Sequence, residues 1–346
     1  MIATKNTLRK NKRFIRASIT AVLSCALASI SYTSSSWAGG WQHYKPHAKP
    51  STCVNTTRLM QKACGADIVD DFYEQSAKCL NADDPRSCKF EAYDGYREAR
   101  ADCRDQARGR NHLCERLPDA GPYITHINPD DFNGENGTCA QPGGQNRYFP
   151  LTVGAVYTYV SVEDEETIVF TVTDETREIQ GVETIVVRDT VYDSLPDDNG
   201  NIVGERIEDT DDYYAIHANC DVWYFGEVSQ NFEDGFLDNL DGSFIAGVNS
   251  AQAGIIMLGD PQVGAVYRQE FALGDAEDAG EVLDLNANVD LEVSGFACNF
   301  NCLKTEDFIA NEDAVEYKYY IPGIGFVAEQ LPNGEVELEL ISVTGL

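Results

Sequence analysis

The chain has 346 residues, 11 cysteines and a formal charge of −31, from 57 acidic against 26 basic side chains. Such a field repels nucleic acid and anionic lipid surfaces, which argues against nucleic-acid partners, and it favours divalent cations or basic partners. The length exceeds the roughly 150 residues of a typical domain, and charge divides the chain near Pro150: 14 basic and 16 acidic residues lie between Gly39 and Phe149, and 6 and 41 from Pro150 onward.

Residues 1–38 read as a signal peptide. Lys5, Arg9, Lys10, Lys12, Arg13 and Arg16 precede the apolar run Ala17 to Ile30, and small Ser36 and Ala38 offer a cleavage site that removes Cys25. The mature chain then has no run of roughly 20 apolar residues for a transmembrane segment, so a periplasmic or secreted location is expected. Residues 39–52 read as a flexible tail; Trp41, His43 and His47 are a weak metal cluster beside Lys45, Pro46, Lys49 and Pro50.

Ten cysteines remain, an even number for an oxidising compartment. Cys53, Cys64, Cys79, Cys88, Cys103 and Cys114 are spaced 11, 15, 9, 15 and 11 apart, a palindrome. On a helix, steps of 11 and 15 return to nearly the same face. Folding the chain at Asn81 to Arg86 therefore pairs Cys79 with Cys88, Cys64 with Cys103 and Cys53 with Cys114 in one antiparallel helical hairpin over residues 53–118. Zinc is a poor alternative, because no CxxC occurs and His112 is the sole histidine in the stretch. After a linker at 119–149, Cys298 is close enough in sequence to pair with Cys302, which leaves Cys139 for Cys220.

Residues 150–346 alternate with the period of strands. Val156, Thr158, Val160 and Val162 fall on one face, and Tyr157, Tyr159 and Ser161 on the other. Asp198-Asn199-Gly200-Asn201 and Pro332-Asn333-Gly334 read as hairpin turns. The pattern predicts an α+β protein, with the disulfide-stapled hairpin followed by a mainly antiparallel curved β-sheet or open barrel. Val153-Gly-Ala-Val-Tyr157 recurs as Val263-Gly-Ala-Val-Tyr267, each time entering a strand. Trp223 and Phe225 alternate with Val222 and Tyr224, so both faces of that strand are expected to be covered. Val228 to Gly264 lacks clear period and reads as a packed cover.

Chemistry-bearing patterns are sparse. His217 lies near Asp211 and Asp212 without a Gly-x-Ser-x-Gly elbow to supply a nucleophile. Asp197, Asn199, Asn201 and Glu208 follow the ligand order of a calcium loop and make calcium the candidate cofactor, yet Ile202 stands where that loop needs glycine, and the hairpin-turn reading is preferred. Trp223, Phe225, Phe232, Phe236, Phe244 and Met257 are the candidate ligand-binding residues. The functional expectation is an exported non-enzymatic binding module that holds an apolar ligand or a protein segment. The alternatives are a carboxylate-dependent hydrolase and a calcium-stabilised surface protein.

Phe149-Pro-Leu-Thr-Val-Gly154, Val222-Trp-Tyr-Phe-Gly-Glu227, Gly254-Ile-Ile-Met257 and Tyr317-Lys-Tyr-Tyr-Ile-Pro-Gly-Ile-Gly325, together with Asn128-Pro-Asp-Asp-Phe132 and Tyr267-Arg-Gln-Glu270, resemble a family of uncharacterised secreted bacterial proteins. The resemblance runs from about Asn128 onward and implies a shared fold, without an activity, cofactor or site. This chain has Cys220-Asp221 where that family has Gly-Asn.

Overall fold

The computed structural model describes residues 51–346 other than 133, 135, 136, 292, 294 and 311–313. The segment read as a signal peptide and most of that read as a tail, including Trp41, His43 and His47, lie outside the described residues. No helix among the described residues is long and apolar enough to cross a membrane.

Two antiparallel helices open the described chain, α1 (Thr52–Cys79) and α2 (Pro85–Arg116). Ser51 caps α1 by accepting from the Val54 amide, and Asp84 caps α2 by accepting from Arg86 and Ser87, with Pro85 at the first helical position where its missing N–H costs nothing. The helices bury little apolar surface between them, so cross-links hold them together. Cys53–Cys114, Cys64–Cys103 and Cys79–Cys88 form the three nested rungs expected from the spacing. The other two bridges, Cys139–Cys220 and Cys298–Cys302, are also those expected.

The remainder is one antiparallel sheet. Its strands are β1 (Val156–Ser161), β2 (Glu166–Ile179), β3 (Val182–Tyr192), β4 (Arg206–Ile216), β5 (Val222–Glu233), β6 (Phe236–Asn239), β7 (Phe244–Ile245), β8 (Gln252–Met257), β9 (Val266–Arg268), β10 (Glu270–Phe271), β11 (Ala279–Val289), β12 (Cys298–Ile309), β13 (Ala314–Ile321), β14 (Gly325–Gln330) and β15 (Val336–Thr344). The order runs β10-β8-β5-β4-β3-β2-β1-β15-β14-β13-β12-β11-β9, with β6 and β7 as extra partners of β5. The two ends of this path, β9 and β10, are separated in sequence by Gln269 alone, so the sheet curves round until it nearly closes. At the seam the amides of Gln269 and Glu270 both donate to the Asp278 carbonyl, at 2.8 and 3.1 Å. Gly254 permits the approach, since a Cβ there would sit 2.1 Å from the Gln269 carbonyl oxygen.

The repeated Val-Gly-Ala-Val-Tyr segments make the same turn. Gly154 and Gly264 take positive φ, their amides bond to Val172 and Val282, and those residues bond back to Ala155 and Ala265. Each turn then delivers a buried tyrosine, Tyr157 or Tyr267, to the inner face. Residues 119–149, read as a linker, lie against the sheet. Tyr123 donates to the Ala253 carbonyl, Phe132 packs edge-on against Trp223 and Phe225, and buried Asn146 bonds to the Cys220 and Leu258 carbonyls. Val228 to Gly264, expected to be a cover, instead contributes wall: it holds the end of β5 and all of β6, β7 and β8.

The hairpin meets the sheet through the C-terminal half of α2. Leu113 packs with Ala279, Phe308 and Ala310, while Arg116 reaches Glu281 and Glu306 and lies over the Phe308 ring. Arg110 holds Glu277 in a fork, Nε at 2.9 Å and Nη2 at 2.7 Å, with both side chains 5% exposed or less. Arg110→Ala would leave the Glu277 charge buried and unpaired, which costs about 3–5 kcal/mol. The expected outcome is a lower urea midpoint, with faster proteolysis at the hairpin base than in the wild type.

Candidate functional site

Closing the sheet gives every long strand a face that water does not reach, and this inner face carries the chemistry. One part is aromatic. Tyr157 and Tyr159 from β1, Phe170 from β2, Tyr214 from β4, Ile256 from β8, Tyr320 from β13 and Phe326 from β14 line a pocket of about 40 Å³, together with Phe149, Asp307 and Lys318. That volume accommodates a few water molecules. The Tyr157 hydroxyl, on a side chain only 3% exposed, has no hydrogen-bond partner among the described residues. Burial pushes its pKa well up, so it stays a neutral donor. Tyr159, by contrast, donates to the Phe326 carbonyl.

The other part is acidic. Thirteen Asp and Glu side chains are buried among the described residues, Glu277 beside Arg110 at the hairpin contact, and Lys318 is the buried cation on the inner face. Glu208, Thr210, Asp212 and Tyr214 alternate along β4, and Asp212 stands directly opposite Glu227 on β5. Glu227 reaches the inner face through a bulge. Val222 and Tyr224 point inward, and strict alternation would send Glu227 outward with Trp223 and Phe225; instead the register shifts between Asp212 and Tyr214. Gly226 makes the shift possible at φ 132°, where a Cβ would meet the Phe244 carbonyl oxygen at 2.2 Å.

Burial is the main cause of the shifted acidities. It pushes Asp212 up to about 8, opposed by the hydrogen bond from the Tyr224 hydroxyl and reinforced by Glu208 and Glu270. Glu270 is pushed up to about 7, with Lys318 pulling the other way, and Glu227 rises further because Glu270 and Asp212 add repulsion to burial. Neither Glu227 oxygen has a hydrogen-bond partner among the described residues. Asp212 is therefore mostly protonated at neutral pH and Glu270 is partly so, while Glu227 is held well above the usual carboxylate range.

The candidate ligand residues do not gather in one place. Phe244 and Met257 belong to the inner core, where Phe244 packs edge-on against Tyr224. Trp223 and Phe225 lie on the outer face beneath Phe132. Phe232 lies under the Arg206 guanidinium, and Phe236 is 77% exposed on β6. Asp197 is engaged by its own turn, accepting from the Asn199 and Asn201 amides and the Asn201 side chain, whereas Glu208 is buried on β4 and accepts from Thr210. Among the described residues no group of three or more His, Cys, Asp or Glu is arranged to hold a metal. His217 caps a local turn with Asn219 and packs on Phe132.

The sequence reading did not single out Tyr157, Tyr159, Tyr214, Tyr320 or Lys318 as site residues. Their signal was compositional: tyrosines at alternating positions, and one of six basic residues in an acidic stretch. The fold and this interior define an α+β protein built on a nearly closed antiparallel sheet with a tyrosine pocket and an interior rich in buried carboxyls. Comparison of the chain with family models, curated proteins and solved structures gave no match.

Stability should follow these protons. Unfolded carboxyls ionise near 4, whereas Asp212 and Glu270 ionise at about 8 and about 7 in the folded protein. Between those values the native state binds more protons than the unfolded chain, so stability falls as pH rises and levels off above about 8. Urea midpoints measured between about pH 5 and 9 should decline, and Asp212→Asn should flatten the decline.

Proposed function

We propose that the protein is an exported, non-enzymatic binding module, periplasmic or secreted, that holds a small ligand in the tyrosine-lined pocket. The observation that carries this reading is the buried Tyr157 hydroxyl, an unpartnered donor among the described residues in a largely aromatic pocket. A donor stranded in this way costs free energy unless something accepts from it. At about 40 Å³ the pocket admits only a few non-hydrogen atoms, so the ligand class that fits is a very small, largely apolar molecule with one hydrogen-bond acceptor. Five disulfides and the sequence of residues 1–38 support export, and the motif resemblance from Asn128 onward supports membership of a secreted bacterial family.

One observation favours the hydrolase alternative: Asp212 and Glu227 face each other with raised acidities. Both are fully buried, however, and a substrate would have to part the sheet to touch them, so binding is the better reading.

Native mass spectrometry of protein purified from its own host, before and after chelator treatment, tests the proposal. The expected result is a retained organic mass that is insensitive to chelator, absent from an Ile256→Trp variant that fills the pocket, and bound roughly tenfold more weakly by Tyr157→Phe. Wild-type protein carrying nothing, and binding no compound from its host's extract, would overturn it; a mass removed by chelator would favour the calcium reading.

A further inference from the structure

Among the described residues Lys318 is the one buried lysine, and its surroundings are unusual for an ion pair. Its Nζ lies 3.2 Å from Oδ2 of Asp307 and 3.9 Å from Oε2 of Glu329, with all three side chains 3% exposed or less. Despite this proximity, Nζ makes no hydrogen bond of acceptable geometry. The Asp307 carboxylate is fixed from the other side, since the Thr305 hydroxyl donates to Oδ1 at 2.8 Å and the Gln269 amide to Oδ2 at 2.9 Å. Asp307 and Lys318 sit on neighbouring strands, Thr305 being the Cα partner of Lys318 and Glu316 that of Asp307. Glu329 is the partner of Lys318 on the next strand. An amine, a carboxyl and a second carboxyl able to carry protons are thus held together on three consecutive strands.

We propose that Lys318 and Asp307 condense into an intramolecular amide bond between Nζ and Cγ, with Glu329 as the proton shuttle. Glu329 takes one proton from the Lys318 ammonium and delivers it to Oδ2 of Asp307, giving a neutral amine and a neutral acid. The Nζ lone pair then attacks Cγ, and the tetrahedral adduct places its negative charge on Oδ1, where the Thr305 hydroxyl already donates. A second proton passes from nitrogen through Glu329 to Oδ2, the Cγ–Oδ2 bond breaks, and that oxygen leaves as water. Of the three ammonium hydrogens, one stays on the amide nitrogen and two depart in the water, so no oxidant or co-reactant is required. The adjoining pocket of about 40 Å³ can receive the water released.

Two physical terms favour the bond. Nζ is held 3.2 Å from an oxygen of the Asp307 carboxyl, and an intramolecular reaction of groups so placed replaces a bimolecular encounter by an effective concentration of roughly 10⁵ M or more. Condensation also removes two opposite charges from an interior where desolvation opposes both. Against it, the surrounding carboxylates stabilise the ammonium form, so the neutral pair is the minor state from which the reaction proceeds. The product is a covalent tie between β12 and β13, in addition to the five disulfides.

The test is peptide mass spectrometry of the mature full chain, unfolded and reduced before digestion. Trypsin cuts after Lys304 and, if its side chain is free, after Lys318; no later Lys or Arg exists in the chain. The expected result is one peptide spanning 305–346, uncut at Lys318 and lighter than its sequence by one water, about 18 Da, with fragment ions locating the link between Asp307 and Lys318. Lys318→Arg should restore cleavage at 318 and the full mass. A wild-type digest with peptide 305–318 free and at full mass overturns the proposal. So does a loss of water that persists in Lys318→Arg, which would indicate an aspartyl succinimide. If Lys318→Arg does not fold, the wild-type fragment ions alone decide.

Discussion

A sheet that closes on itself must fill its own inside, and in this protein that constraint governs everything else. The seam at Gly254 and Gln269 turns an open antiparallel meander into a wall with an interior, and each long strand then has one face withdrawn from water. A water-poor interior strengthens electrostatic interactions and makes every isolated charge costly. Carboxyls placed there hold protons, pair with Lys318, or accept from hydroxyl and amide donors, and all three solutions occur. The 41 acids beyond Pro150 are therefore not simply a solvated field. A substantial share of them is structural interior.

The two parts of the molecule solve the problem of cohesion differently. The helical hairpin has little apolar surface between its helices and relies on three disulfides, which restrict the unfolded chain more than they strengthen the folded one. The sheet relies on a contiguous inner core and on ladder hydrogen bonds. They are joined where α2 places Leu113 and two arginines on the outer side of the seam strands, so the basic residues of the hairpin meet the acidic wall at Glu277, Glu281 and Glu306. Arg110 and Lys318 thus play parallel parts, one outside the wall and one within it.

Much of the wall was legible because its strands alternate, yet the exceptions are instructive. Strand β12 carries Lys304 and Glu306 on one face and Thr305 and Asp307 on the other. A pattern search for apolar alternation passes over its middle, because between Leu303 and Ile309 the buried face carries Thr305 and Asp307. Glu227 was placed by a bulge at Gly226, which resets the period-two count in mid-strand. The six apolar residues chosen for ligand binding were separated for a related reason. Alternation groups Trp223 with Phe225, but it does not say that Phe132 from residues 119–149 would cover them from outside, or that Phe236 would be left exposed on a hairpin.

The sequence by itself determined the covalent frame. Helical periodicity and a palindromic spacing allow one nested pairing for six cysteines, and elimination pairs the other four, because helix geometry is local and a disulfide needs only that geometry. It also determined the class, since antiparallel hairpins follow from turn chemistry and alternation. Only the tertiary structure decided which face of each strand became the interior. It alone brought Tyr157 and Tyr320 to one pocket, set Asp212 against Glu227, and held Lys318 near Asp307 and Glu329. Period two tells which residues share a face; closure, bulges and covering segments decide which face meets water, and these depend on contacts between residues far apart in the chain.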